Sequence, residues 1–265
     1  MVSYLAAQNA SADYVFWQRD HSDIRSYLIK TNQGMGAWFD SRWAAAEAHA
    51  NDIFDPDQHD GALVADLFDG EVGVWPEPYF FQLSTAVVKD ACTLYELFLE
   101  TTANAVLHRY GGRLATLDSE ASWHWPECAL FFKYYMNINV IPPEVESILW
   151  LRNKMTHLRM RLRTEAGRIE FKQHLAALKV SGPPTADELT LDLTDHKPYF
   201  TGDVYISQFE TLRILDKIGE NVSTVASAAF QYEYGSATSP YLAAVHAGTP
   251  VTIPKFSNTK FIALI

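Results

Sequence analysis

Residues 142–180, PPEVESILWLRNKMTHLRMRLRTEAGRIEFKQHLAALKV, carry the pattern from which we predict the fold. Apolar side chains recur three and four residues apart from Val145 to Ile169, a spacing that places them on one face of an α-helix. Pro142-Pro143 suits the first turn of such a helix, and the stretch SGPP at 181–184 suits its end. The segment therefore predicts one long central helix.

Helical spacing also appears on both sides of this segment. Before it, the pattern runs from Phe80 to about Tyr110 and ends at Gly111-Gly112, and a short aromatic helix is expected from Pro126 through Met136. After it, an amphipathic helix is expected from about residue 203 to near residue 235. Long helices that follow one another in this way predict an all-α protein built as a helical bundle.

The two ends of the chain differ from this central part. Residues 1–75 predict two or three helical pieces, the first of them broken near Gly34 and Gly36. The last thirty residues are rich in Ser, Thr, Pro and Ala and predict an extended arm packed on the body or on a second subunit. We therefore divide the chain into an N-terminal helical extension (1–75), a helical bundle (76–234) and a C-terminal extended arm (235–265).

Composition narrows the classes of protein. The chain has 21 basic and 32 acidic side chains, and this net charge of −11 argues against a general nucleic-acid coat protein. Cys92 and Cys128 lack the spacing of a zinc site and are expected to be buried thiols. The loop at 55–61 does not have the residue pattern of a calcium-binding EF-hand, so no metal site is predicted. The N-terminus lacks the pattern of a signal peptide, which predicts a cytoplasmic protein.

Local charge differs from the net charge in the central helix. Between residues 152 and 174, seven basic side chains stand against only Glu165 and Glu170. This concentration would attract a polyanion. The alternative is a solvated helix face that is balanced by acidic neighbours. In the same segment Asn153 and His157 are four residues apart, which places them on one face of the helix, with Arg152 one step around it.

The sequence Arg152-Asn153-Lys154-Met155-Thr156-His157 resembles the signature of the HEPN superfamily, in which four to six residues separate an Arg, often followed by Asn, from a His. The order of helices around it is also similar to that family, and the resemblance covers roughly residues 79–232. It implies a HEPN-like antiparallel bundle and a metal-independent endoribonuclease without a cofactor. Cleavage would occur by attack of the RNA 2′-hydroxyl and would give 2′,3′-cyclic phosphate and 5′-hydroxyl ends.

The resemblance also implies roles for particular residues. Arg152 and His157 would be catalytic, with Asn153 binding a phosphate or fixing the tautomer of the imidazole. An acidic residue on the preceding helix would orient the arginine, for which Glu96 is favoured over Glu100; an exposed i,i+4 pair on a helix surface is the alternative. Contacts to the substrate backbone are assigned to four of the other basic residues of the segment: Lys154, Arg159, Arg161 and Arg163.

The implied partners are an RNA substrate and a second copy of the chain, since the family forms its active cleft between two bundles. Arg152 and His157 are about 140° apart around one helix, which agrees with a cleft completed by a second copy. The expected roles are a toxin or a phage-defence effector, with an antitoxin or a nucleotidyltransferase-like protein as partner and no membrane association. Two alternatives remain: a catalytically inactive HEPN-like module that binds nucleotides or proteins, and a helical regulator that docks onto nucleic acid without cutting it.

Overall fold

The computed structural model of the protein describes residues 11–54, 61–114, 124–158, 162, 164–178, 205–247 and 261–263. Within these ranges the chain is predominantly helical, with eight α-helices and two short strands. The prediction of an all-α protein is therefore confirmed. The elements are α1 (Ala12–Ile53), α2 (Gly61–Val72), α3 (Pro76–Arg109), β1 (Gly112–Leu114), α4 (Trp125–Met136), α5 (Pro143–Leu158), α6 (Glu165–Ala177), α7 (Gln208–Glu233), α8 (Pro240–His246) and β2 (Phe261–Ala263).

Three helices begin and end close to where their sequence patterns place them. They are α3, α4 and α7. Helix α3 ends just before Gly111, whose φ of +74° is a left-handed conformation that glycine adopts without strain. Helix α4 has a proline in its first turn, and the Glu127 carboxylate accepts a hydrogen bond from the backbone N–H of His124, at 3.2 Å.

The predicted break at Gly34 and Gly36 is wrong, because α1 continues through both glycines. A glycine inside a helix costs only about 1 kcal/mol relative to alanine. The free energy gained by tertiary packing outweighs that cost here, since Leu28 and Phe39 on either side of the glycines are both buried. Glycine alone is therefore a weak signal for the end of a helix that has buried side chains on both sides.

The prediction of a single central helix is also wrong. Helix α5 ends at Leu158, and a separate helix, α6, begins at Glu165. The start of α6 is fixed by Thr164, whose hydroxyl accepts a hydrogen bond from the backbone N–H of Gly167 at 3.1 Å. Apolar spacing alone does not reveal this threonine cap, so it predicts one helix where the chain has two.

The chain divides into two compact units. Helices α1, α3, α5 and α7 each contribute residues to both of them. The first unit takes its described residues from Met1–Asp23, Asp90–Trp150 and Ile214–Ile265. Its core includes a row of rings in which Trp17 stacks on His21, with ring centroids 4.6 Å apart, and lies 6.1 Å from Phe98. The buried His21 ring is held by a 3.0 Å hydrogen bond between Nε2 and the backbone oxygen of Leu215.

The second unit takes its described residues from Ile24–Lys89 and Leu151–Arg213. Its core is an aromatic cluster from α1, α2 and α3, in which Phe39 lies 6.3 Å from Phe68 and 6.0 Å from Phe80. The first residue of α7, Gln208, is buried against α3. Its amide nitrogen donates to the backbone oxygen of Phe80 at 3.0 Å and to the hydroxyl of Ser84 at 3.2 Å. This pairing satisfies a buried amide that would otherwise destabilise the fold.

The segment for which the sequence predicts an extended arm contains the short helix α8 and the strand β2. Strand β2 pairs antiparallel with β1, with Arg113 opposite Ile262. A methyl group at Gly112 of β1 would lie 2.7 Å from Cγ1 of Val245 on α8, so glycine fits where these two elements approach each other. The loop for which we excluded an EF-hand lies outside the described residues, except for Gly61.

Among the described residues, no helix combines the length and the apolar character that crossing a membrane requires.

Candidate functional site

The last two turns of α5 carry four of the residues that the sequence singles out. Leu151 and Met155, which are both assigned to the second unit, are buried, and this fixes the rotation of the helix about its axis. With these two inside, Arg152 is half-buried and Asn153 and His157 are exposed. The local arrangement is therefore a polar surface that rests on an apolar anchor, as the helical spacing predicts.

Arg152 and Asn153 are joined by a hydrogen bond. The Nη1 atom of the guanidinium lies 3.1 Å from Oδ1 of the amide. A guanidinium has no acceptor atom, so the amide must present its oxygen to Arg152, and its NH2 group points elsewhere. The sequence does not predict this contact, because neighbouring positions on a helix lie about 100° apart and only a long side chain can reach across.

The other end of the Arg152 guanidinium is in a different environment. Its Nε atom is buried and has no hydrogen-bond partner among the residues that the structure describes. A buried N–H without an acceptor costs roughly 1–3 kcal/mol. Arg152 is therefore packed at its Nε end and hydrogen-bonded at Nη1, so its side chain is restrained from both sides.

His157 lies in the last turn of α5 and is exposed. It follows Asn153 by one turn on the same face, and it follows Arg152 by five residues. On an ideal helix five residues correspond to about 140° of rotation and about 7.5 Å along the axis. The imidazole and the guanidinium therefore leave the helix in different directions and at different heights.

The basic residues that follow are only partly described. Lys154 is half-buried on α5, whereas Arg159, Arg161 and Arg163 lie outside the described residues. Arg168 and Lys172 are exposed on α6, and Nε of Arg168 donates to the backbone oxygen of Leu162 at 3.2 Å. In this part of the chain, positive charge is thus present on two successive helices of the second unit.

Glu96 belongs to the first unit, where it is half-buried on α3. Burial of the thiol is the main cause that raises the pKa of Cys128, and the carboxylates of Glu96, Glu100 and Glu127 raise it further. The two α3 carboxylates therefore lie near Cys128 of α4, and both are half-buried, unlike the exposed pair that was the alternative. The role of Glu96 in orienting Arg152 stays a prediction.

Within the described ranges, no group of three or more His, Cys, Asp or Glu side chains is arranged to hold a metal ion. Cys92 and Cys128 are both buried free thiols, as the sequence predicts.

Comparison with protein-family models, with curated proteins and with solved structures found no match to this chain. The HEPN resemblance therefore rests on the α5 motif and on the order of the helices, and it stays a prediction.

Proposed function

We propose that this protein is a metal-independent endoribonuclease that uses Arg152 and His157 of α5. The observation that carries the proposal is the surface at the end of α5. There an exposed imidazole follows, by one helical turn, an exposed amide that holds a guanidinium at 3.1 Å. Proton transfer and stabilisation of developing negative charge are the two tasks that these groups perform best.

RNA is a suitable substrate for these groups because it contains its own nucleophile, the 2′-hydroxyl. The 2′-oxygen attacks the adjacent phosphorus and the bond to the 5′-oxygen breaks, which leaves a 2′,3′-cyclic phosphate and a 5′-hydroxyl. One proton leaves the 2′-hydroxyl and one is delivered to the departing 5′-oxygen. His157 is suited to proton transfer near neutral pH, and the Arg152 guanidinium to the charge on the pentacoordinate phosphorus. The reaction requires no metal.

The distribution of charge supports an anionic substrate. Seven of the 21 basic residues lie between positions 152 and 174, in a chain whose net charge is −11. A local positive field of this kind attracts a polyanion to one part of a surface that otherwise repels it. Binding of RNA is then expected to weaken steeply as salt rises.

The different directions of Arg152 and His157 favour a cleft formed with a second copy of the chain. Because about 140° separates the two side chains around α5, one copy is poorly placed to surround a single phosphate. A second copy would supply the missing groups. Such an enzyme fits the role of a toxin or phage-defence effector that a partner protein keeps inactive.

The test compares four proteins on labelled RNA in buffer that contains EDTA: wild type, Arg152→Ala, His157→Ala and His108→Ala. His108 is the matched control, because it is also an exposed histidine in the last turn of a long helix. We expect the first two substitutions to lower the cleavage rate at least about 100-fold and the control to leave it unchanged. A 2′-deoxy residue at the cut position should abolish cleavage there.

Two results would contradict the proposal. The nuclease assignment is lost if wild type cuts RNA no faster than the Arg152 and His157 variants. RNA binding that survives both substitutions, without cleavage by any of the proteins, would favour the inactive binding module instead.

A mixing experiment tests the shared cleft. If one copy's arginine works with the other copy's histidine, an equimolar mixture of Arg152→Ala and His157→Ala should cut faster than either variant alone. Light scattering that gives the monomer mass of 29.9 kDa at micromolar concentration would count against the dimer.

A further inference from the structure

We propose that Asn153 is a positioning residue, whose amide oxygen holds the Arg152 guanidinium in the orientation that it uses on a phosphate. The inference rests on the proposed ribonuclease function, which it deepens by giving Asn153 a role other than contact with substrate or with His157. It follows from the 3.1 Å hydrogen bond between Arg152 Nη1 and Asn153 Oδ1.

The chemistry of the Arg152–Asn153 contact fixes which atom of the amide faces the guanidinium. The atom of Asn153 that meets a guanidinium must be the oxygen, since both the guanidinium and the amide NH2 group only donate. This oxygen keeps a second lone pair that could accept from the imidazole of His157, but its contact among the described residues is with Arg152. The remaining NH2 group can donate to substrate, but it is not needed to explain why an amide stands at this position.

The mobility of Arg152 is restricted before substrate binds. An arginine on a helix surface has many rotamers, and ordering them on substrate binding opposes catalysis. Here the Nε end is buried and Nη1 is held by Asn153, so most of that ordering is present before substrate arrives. Preorganised donors of this kind are the ones that lower the barrier of the reaction.

The Nε atom of Arg152 lies at the packed end of the guanidinium. In the described part of the chain it has no acceptor, although it is buried. Among the described residues, the Asn153 oxygen is therefore the polar contact on which the direction of the guanidinium depends.

A double-mutant cycle tests the inference. Asn153→Ala should lower kcat roughly 10-fold or more with little change in KM, because a misdirected guanidinium affects the transition state more than binding. In an Arg152→Ala background the same substitution should change nothing, since no guanidinium is left to position. Asn153→Ser, which keeps a shorter oxygen acceptor, should recover part of the lost rate.

Thr156→Ala provides the matched control. Thr156 is exposed on α5, four residues after Arg152, and has no place in the proposed machinery. It should leave kcat unchanged in both backgrounds. Equal melting temperatures of wild type and Asn153→Ala would show that the exposed substitution has not disturbed the fold.

Different outcomes separate this inference from the proposed function. If RNA is cut but the effects of Asn153→Ala and Arg152→Ala multiply, Asn153 acts independently of Arg152 and the inference is wrong. If RNA is bound but not cut, the proposed function is wrong, and the effect on kcat that is predicted for Asn153 is lost with it. A wild-type protein that neither cuts nor binds RNA overturns both.

Discussion

The hydroxyl oxygen of Tyr95 on α3 lies 2.6 Å from the side-chain oxygen Oδ1 of Asn221 on α7. The same hydroxyl lies 2.8 Å from the backbone oxygen of Val140, just before α5. A phenol has one proton and cannot donate fully to both oxygens. Both contacts are satisfied when the amide of Asn221 is flipped, so that its NH2 group donates to the Tyr95 oxygen while the Tyr95 hydroxyl donates to the backbone oxygen of Val140. One buried hydroxyl then connects three segments of the first unit.

Removing that hydroxyl should destabilise the protein. Tyr95→Phe keeps the ring, which packs 5.2 Å from Trp125, but leaves a backbone oxygen and an amide without their partner. We expect the free energy of unfolding to fall by about 1–3 kcal/mol, measured by urea denaturation. Tyr134→Phe on α4 is the control, because the contacts of its ring with Tyr241 and Lys133 do not use the hydroxyl. Equal losses for both variants would contradict the assignment.

Helix positions could be predicted wherever apolar spacing agreed with strong signals at the ends. Helix α3 is the clearest case, with buried Phe80 and Phe98 in its pattern and Gly111 at its end. The end of α5 could not be predicted in this way, because neither Gly nor Pro stands at Leu158 and the apolar spacing continues. The separation of α6 depends on the side-chain bond of Thr164 to Gly167, which spacing does not reveal.

The candidate site could be predicted only at the level of the backbone. Spacing alone places Asn153 and His157 on one face of a helix, and both are exposed. The hydrogen bond from Arg152 to Asn153 depends on rotamers, and the burial of Nε depends on packing that the spacing does not reveal. The position of Glu96 near Cys128 likewise depends on how α3 and α4 pack.

A buried hydroxyl without a partner provides a second prediction. Thr102 on α3 is 3% exposed, and its Oγ1 has no hydrogen-bond partner among the described residues. Thr102→Val replaces that hydroxyl with a methyl group of similar shape, so stability should rise by about 1 kcal/mol. Thr211 on α7 is equally buried, but its hydroxyl donates to the backbone oxygen of Ser207 at 2.8 Å. Thr211→Val should therefore lower stability, and shifts of the same sign in urea denaturation would contradict the reasoning.

The two cysteines should be inert in the folded protein. Cys92 and Cys128 are buried, and burial together with the three nearby carboxylates raises the pKa of Cys128. Since the thiolate is the reactive form, labelling by a disulfide reagent at pH 8 should be at least about 100-fold slower in native protein than in urea. Cys92→Ser isolates the signal of Cys128. Rapid labelling of that variant under native conditions would contradict the packing of α4 against α3.

Stability should depend on the ionisation of Glu233, at the end of α7. Burial is the main cause that raises the pKa of Glu233, and the charge of Asp13 on α1 raises it further, while a hydrogen bond with Tyr234 partly opposes both. A carboxyl group whose pKa is higher in the folded state stabilises the fold while it is protonated, below its ordinary pKa of 4.5. That contribution is lost as pH rises through the folded pKa.

Glu233→Gln should therefore melt at a higher temperature than wild type at pH 7, and the difference should disappear near pH 4, where the wild-type carboxyl is neutral. The gain should stay below about 1 kcal/mol, because the side chain is only half-buried and water screens its charge. Asp13→Asn removes part of the same repulsion, so the double variant should gain less than the sum of the single ones. A Glu233→Gln protein that is less stable than wild type at pH 7 would show that the Tyr234 hydrogen bond outweighs burial.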